Sequence, residues 1–252
     1  MRPKVLQLIT EGKTKKVWET ENPDLVILEF KDDITAFDGA KHDVISGKGA
    51  INAAISAKIF EHLNKNGIPT HFVEFVAPRY HVVRRLEMIP LEVVCRNIAT
   101  GHLVKRLPMI KDGTRLEFPV LEFYLKDDKL HDPLINDHHV VLLKLASWKE
   151  IEEMKKITLR VNEVLRTFFE ERGLILVDFK LEFGRDRNGK LLVGDELNGD
   201  AMRIWDMYTG KILDKDVYRK GYPLDEVLVR YREFYRRVVG ADFPGEEVCL
   251  AT

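Results

Sequence analysis

Asp178, Lys180 and Glu182 alternate with Val177, Phe179, Leu181 and Phe183 inside the apolar run 174–183. Side chains on a strand point alternately to its two faces. The three charged groups therefore share one face, and the four apolar ones share the other, which must be core. Two carboxylates flanking an ammonium can hold a cation and meet an anion. Asn188-Gly189, further along, is a hairpin signal. With these two residues as the loop, Arg187 pairs with Lys190 and Glu182 falls directly opposite Asp195. Opposed like charges destabilise a strand pair, and a divalent cation between them reverses the sign. Mg²⁺ takes one or two carboxylates plus phosphate oxygens and water. Lys180, on the same face, can meet a phosphate oxygen. The same pattern also reads as a solvated hairpin face balanced by its lysines, and spacing alone leaves both readings open.

Other residues carry weaker signals. In Glu11-Gly12-Lys13-Thr14-Lys15 the glycine permits close backbone approach to an anion, and Lys13 and Lys15 project to one face of an extended segment. The bland reading is a basic surface turn. Gly47-Lys48-Gly49 lacks the spacing of a P-loop and reads as the entry to a helix. Arg96 ends an apolar strand and Arg203 follows the charged hairpin; arginine at such a place suits bidentate binding of carboxylate or phosphate, or a structural ion pair. Asp38 lies in a polar loop, as does Asp132 in His131-Asp132-Pro133. No histidine or cysteine spacing marks a zinc site, and no nucleophile elbow is present.

The elements that must position these groups follow from periodicity and punctuation. Strands are expected at 17–19 and 25–30, around Asn22-Pro23-Asp24, and near 71–76, 81–85 and 91–96. A helix over 50–66 places Ile51, Ile55, Ile59 and Leu63 on one stripe, with Gly67 as its stop. Ser147 and Glu150 form a capping box for a long helix that turns Ile151, Met154, Val161, Leu165 and Phe168 inward and ends at Gly173. A strand-turn-strand unit covers 174–196. A last amphipathic helix from Asp225 buries Val227, Leu228, Tyr231, Phe234 and Val238. Early strands followed by mixed elements predict an α+β fold with a strand-rich N-terminal lobe. The boundary is expected near 85–92, where Pro90 reads as a break.

Bulk properties exclude several classes. The 252 residues are 45% hydrophobic and 32% charged, with a formal net charge of −1. No overall basic field draws the chain to nucleic acid or to an anionic membrane. No apolar run approaches the roughly 20 residues of a membrane span, and no signal-peptide pattern is seen. Cys95 and Cys249 form no CxxC pair. A disulfide framework is not expected, and a reducing cytoplasm fits.

Six segments taken together resemble one family: EGKTK (11–15), FKDDITAFDGAK (30–41), EVVCRNIATGHLVKR (92–106), HDPLIND (131–137), LVDFKLEFG (176–184) and GDELNGDAMRIWD (194–206). They occur in the order found in the phosphoribosylaminoimidazole-succinocarboxamide synthase (SAICAR synthetase) family, and the likeness runs over about residues 8–240. The resemblance implies a kinase-like lobe over residues 1–87 and an ATP-grasp-like remainder over 88–252, sharing a cleft. It implies ligation of L-aspartate to the carboxylate of an aminoimidazole ribonucleotide, with ATP cleaved to ADP and phosphate through an acyl phosphate. By analogy Lys13, Lys15, Lys126 and Lys180 line the ATP site, and Glu182 and Asp195 hold Mg²⁺. Arg96 and Arg203 bind the ribonucleotide, and Asp38, Asp132 and Asp178 line the cleft, with Lys180 and Asp178 at the chemistry. The family suggests a homo-oligomer, with a dimer as one form. Two stretches depart from its pattern. His102 stands where the family has a serine that helps to hold the substrate phosphate, and Asn198-Gly199 stands where the family reads close to ISPDTC. A ligase with a different acceptor stays open on those departures, and a small-molecule kinase stays open on the kinase-like lobe that the resemblance implies.

Overall fold

The computed structural model describes residues 3–37 and 39–245. Asp38 and Cys249 lie outside the described residues. The chain opens with β1 (Val5–Glu11), β2 (Lys15–Thr20) and β3 (Leu25–Phe30), then a small hairpin of β4 (Asp33–Ala36) and β5 (Lys41–Val44). Helix α1 (Lys48–Lys65) leads to β6 (Phe72–Val76) and β7 (Tyr80–Arg84). Next come β8 (Glu87–Ile98), α2 (His102–Arg106), β9 (Arg115–Leu125), β10 (Leu134–Ile135) and α3 (Asp137–Leu142). Helix α4 (Trp148–Glu170) is followed by β11 (Leu174–Arg185), β12 (Leu191–Gly194) and β13 (Met202–Asp206), and then by α5 (Asp216–Arg219) and α6 (Leu224–Val239).

Two antiparallel sheets organise this mixed α/β fold. The first has the order β1-β2-β3-β7-β6. The second has the order β10-β9-β8-β11-β12, with β13 also pairing β11. Strand β11 is therefore central. One of its edges pairs with β8; the other pairs with β13 near its start and with β12 near its end. Phe179, Leu181 and Phe183 enter a core shared with Val93, Cys95 and Phe123 of the neighbouring strands. Ile151, Met154, Val161, Leu165 and Phe168 of α4 complete that core, with the apolar stripes of α1 and α6. Ser147 and Glu150 form the expected reciprocal cap on α4. The Arg185 guanidinium donates to Glu150 at 2.6 Å and brings its carboxyl down to about 2.

Three expectations need correction. Pro90 does not end a strand: β8 runs through it. The pairing with β11 shifts register between Glu182 and Gly184, so Pro90 sits in a bulge where its missing N–H removes no ladder bond. Val177 does not join the core set of Phe179. The pairing with β13 shifts between Leu176 and Asp178, and the core-facing residues change from Leu174 and Leu176 to Phe179 onward; Val177 is buried outside that cluster. Helix α1 begins at Lys48 rather than at 50. Gly49 is required there, because a Cβ would meet the Phe30 carbonyl oxygen at 2.5 Å. Among the described residues no helix is long and apolar enough to cross a membrane.

Candidate active site

The face of the second sheet opposite the core is a floor of charge. Pairing sets Arg96 beside Asp178, Val94 beside Lys180 and Glu92 beside Glu182. On the next strand Tyr124 pairs with Glu92, and Glu122 with Val94. Asp178 is flanked in register on both sides, by Arg96 of β8 and by Arg203 of β13. That topology explains why both guanidiniums donate to the same carboxylate oxygen, Oδ2, each at 2.8 Å. Arg96 also donates to Glu122 at 2.7 Å, and Arg203 to Asp216 at 2.7 Å. Arg96 is buried, as are Glu122 and Asp178. Burial alone disfavours the arginine charges, but the carboxylates outweigh it and raise both arginines above their ordinary value.

Around these arginines the loop into α2 closes a guanidinium-rich corner. Gly101 takes φ +59°, and a Cβ there would meet the Arg203 Nη2 at 2.9 Å, so the backbone lies against the guanidinium. His102 follows. Partial burial, then the charges of Lys105, Arg96, Arg203 and Arg106, hold its imidazole below the usual histidine range. Arg106 reaches Glu122 as well. Four cationic side chains and an imidazole thus crowd one place. Part of the cation excess there is left for a bound anion to neutralise, and planar guanidiniums match phosphate geometry.

The other end of the floor is where lysines meet carboxylates. Lys180 contacts Glu92 and lies 3.4 Å from Glu182. Lys126, just past β9, donates to Glu182 at 2.6 Å. From the first sheet, Lys15 reaches Asp195 at 2.8 Å and Glu196 at 3.0 Å. Lys13 reaches Asp128 at 2.6 Å, where both partners are exposed. Burial lowers Lys180, but Glu182, Glu92 and Asp195 outweigh it, so the ammonium stays charged. Burial raises Glu182, and the Asp195 charge raises it further, against the pull of Lys180 and Lys126. Burial also raises Asp195, but Lys15, Lys126 and Lys180 overcome it and hold that carboxyl well below the usual range.

The hairpin register behind this pair differs from expectation. Glu182 pairs with Gly194, not with Asp195. The loop is three residues, Arg187-Asn188-Gly189, because the Asp186 side chain accepts the N–H groups of Asn188 and Lys190. Gly189 then takes the left-handed position, φ +74°. One residue of slip should turn Asp195 to the far face. It lies instead just beyond β12 with φ +59°, a conformation that aspartate tolerates. Its carboxylate returns to Lys15 and to within electrostatic reach of Glu182. The two acids meet, though not by direct pairing.

Donor chemistry at this end suits a magnesium ion. Three lysines, Lys15, Lys126 and Lys180, face four carboxylates, Glu92, Glu182, Asp195 and Glu196. One negative charge is in excess, and the Glu182–Asp195 repulsion is left over. Among the described residues no cluster of three or more metal-type side chains converges. A cation held by Glu182 and Asp195 would complete its shell from phosphate oxygens and water, as Mg²⁺ does.

The structure thus brings together Lys15, Arg96, Lys126, Asp178, Lys180, Glu182, Asp195 and Arg203, with His102 at the rim. Lys13, in the turn between β1 and β2, stands at the outer edge and pairs with Asp128 of the 126–132 loop. Asp132 is not joined to the floor by any hydrogen bond or ion pair among the described residues; its carboxylate accepts the Asp127 N–H at 2.8 Å. Glu92, Glu122 and Tyr124 were missed, although the alternation used for 178–182 also places them beside Arg96 and Lys126. Lys48, read from sequence only as part of a helix entry, also carries a buried ion pair. It is 1% exposed, and its ammonium donates to Asp200 at 2.6 Å, while Tyr231 and Asn52 donate to the same carboxylate.

Comparison with known proteins places this arrangement. The SAICAR synthetase family model matches residues 8–238. Phosphoribosylaminoimidazole-succinocarboxamide synthase of Methanocaldococcus jannaschii is 49% identical over 226 residues, covering 90% of this chain and 92% of that protein. The protein of the same name from Sulfurisphaera tokodaii is 51% identical over 230 residues, covering 91% and 97%. A solved SAICAR synthetase in complex with ADP superposes with a TM-score of 0.88 at 44% identity, covering 94% of this chain and 99% of that one. The phosphoribosylaminoimidazole-succinocarboxamide synthase of Ehrlichia chaffeensis superposes with 0.89 at 40% identity, covering 94% and 100%. With the match extending over nearly the whole chain in sequence and in fold, the chain belongs to the SAICAR synthetase family.

Proposed function

We propose that this chain joins L-aspartate to the carboxylate of 5-amino-1-(5-phospho-D-ribosyl)imidazole-4-carboxylate, with ATP cleaved to ADP and phosphate, in de novo purine biosynthesis. The observation that carries the reading is the division of one sheet face into two charged ends: a guanidinium corner at Arg96 and Arg203, and a lysine-carboxylate end at Lys15, Lys126, Lys180, Glu182 and Asp195. The first suits a phosphate monoester. The second suits a metal-bound triphosphate, which brings both signs of charge: phosphates to the lysines, cation to the acids. A relative solved with ADP supports the nucleotide.

A carboxylate is a poor electrophile until it carries a leaving group. In this reading Lys13, Lys15, Lys126 and Lys180 orient the triphosphate, with Glu182 and Asp195 as the ligands for Mg²⁺. That ion would neutralise developing charge on the transferred phosphoryl group. Arg96 and Arg203, locked by Asp178, Glu122 and Asp216, fix the ribonucleotide phosphate, with His102 donating at the rim. Its carboxylate then lies toward Lys180 and attacks the terminal phosphorus, releasing ADP. The aspartate amine displaces phosphate from the acyl phosphate. Positioning and charge neutralisation do the work, and no protein nucleophile is required. Residues 1–87, the kinase-like part, would cover the nucleotide, and 88–252, the ATP-grasp-like part, would form the floor, with Asp38 and Asp132 at the cleft. The reading also carries a cytoplasmic setting and a homo-oligomer.

ADP release measured with each reactant omitted in turn tests the reading. Turnover is expected only when the ribonucleotide and aspartate are both present. ADP release that persists without aspartate, with a stable phosphorylated product, would contradict it.

A further inference from the structure

The lysines and arginines of the two charged ends, Lys15, Lys126, Lys180, Arg96 and Arg203, each have an acidic partner, and buried Lys215 beside them has none among the described residues. Lys215 is 9% exposed, yet among the described residues its ammonium makes no hydrogen bond and no ion pair. Its backbone is fixed: its N–H donates to the Gly199 carbonyl at 3.0 Å. On either side, Asp214 accepts the Ile204 N–H at 2.8 Å, and Asp216 holds Arg203 at 2.7 Å. The charged groups that face the Lys215 ammonium are Asp200 and Glu196 from the loop after β12, Lys48 from α1 and Arg219 from α5. Both acids are already engaged. Asp200 takes Lys48 and the Tyr231 hydroxyl, each at 2.6 Å; Glu196 takes Lys15 at 3.0 Å and Asn198 at 2.8 Å. Burying an ammonium without a partner is unfavourable. Burial pulls this one down to about 8, and Lys48 and Arg219 oppose its charge.

Its place is as telling as its lack of a partner. Asp216, next in the chain, ties it to the guanidinium corner; Glu196 ties it to Lys15 and the lysine-carboxylate end. It is linked through neighbouring residues to both charged ends. The reaction has three anionic reactants, and the triphosphate and the ribonucleotide phosphate each have a cation set. We propose that Lys215 receives a carboxylate of the amino-acid substrate, and so selects an acidic amine. The inference rests on the ligase reading of the same site.

The test uses the complete chain with Mg-ADP, and succinate as a dicarboxylate that has no amine to react. Lys215→Met is expected to raise KM for L-aspartate at least tenfold, leave KM for ATP within about twofold, and abolish succinate binding by calorimetry. Lys215→Arg is expected to keep aspartate KM within about fivefold, which separates a lost charge from a damaged fold. A bound carboxylate raises the lysine toward its ordinary value. Near pH 8 the wild type should therefore take up about half a proton per succinate, read as a buffer-dependent heat. Lys215→Arg, always charged, should take up none. An unchanged aspartate KM in Lys215→Met, or succinate binding without proton uptake in the wild type, overturns the assignment. Absence of aspartate-dependent ADP release in the wild type would instead overturn the ligase reading.

Discussion

Glu182→Gln is expected to reduce kcat/KM for Mg-ATP by about a hundredfold to a thousandfold, the cost of losing one group aimed at charge in a transition state. The substitution keeps shape and hydrogen-bonding capacity while removing the charge that a cation needs. It should also abolish most of the thermal stabilisation by Mg-ADP. For the wild type at about a hundred times Kd, that stabilisation is about 2.7 kcal/mol, roughly 5–10 °C for a chain of this size. The unliganded variant should melt no lower than the wild type at pH 7. The folded Glu182 carboxyl titrates above its ordinary value, through burial and the Asp195 charge. More protons are then bound in the folded state, so this group's carboxylate opposes folding at neutral pH, and the opposition fades as pH falls through the folded value. Glutamine removes it at any pH, against the loss of the Lys126 contact. A variant with normal Mg-ADP stabilisation would remove Glu182 from the cation site.

Arg203→Ala acts at the opposite end. A hydrogen bond to a charged group contributes about 1.5–3 kcal/mol. KM for the ribonucleotide is therefore expected to rise by roughly tenfold to a hundredfold, while KM for ATP changes by less than about threefold. The fold should survive, because Asp178 keeps Arg96 at 2.8 Å. Some stability should still be lost, since Asp216 is left with Arg219 as its charged partner. Steady-state kinetics with each substrate varied, alongside a melting curve, separates these effects. Equal losses for both substrates would mean that Arg203 supports the sheet rather than the phosphate.

How much of this was legible depended on the range of the interaction involved. Local rules worked where local physics decides. The cap at Ser147, the inward stripe of α4 and the charged face of 178–182 all follow from spacing along one element. The same alternation over 92–96 and 122–126 places Glu92, Glu122 and Tyr124 on the face of Arg96 and Lys126. Register was a different matter. Whether Asn188-Gly189 closes a two- or three-residue loop is decided by the Asp186 side chain, and a single residue of slip moves Asp195 to the wrong face. Only its left-handed backbone restores the meeting with Glu182. Pro90 misled because a bulge neutralises its usual effect. Lys48–Asp200 and Lys215 were illegible for a third reason: they join α1, the loop after β12 and the turn before α5, which no periodicity links.

The departures at His102 and Asn198-Gly199 have also acquired a location. His102 stands at the rim of the guanidinium corner, where Arg96, Arg203 and Arg106 hold its imidazole below the usual histidine range, after burial and Lys105. Asn198 is fully buried, donates to Glu196 and accepts the Asp200 N–H. It therefore shapes the loop that holds Asp200 and supports Lys215.

If ATP activates the ribonucleotide carboxylate on this floor, oxygen-18 placed in that carboxylate must pass to the phosphate. The acyl phosphate route predicts that each turnover delivers one labelled oxygen to the released inorganic phosphate, detected by mass spectrometry. Phosphate released without label would contradict it.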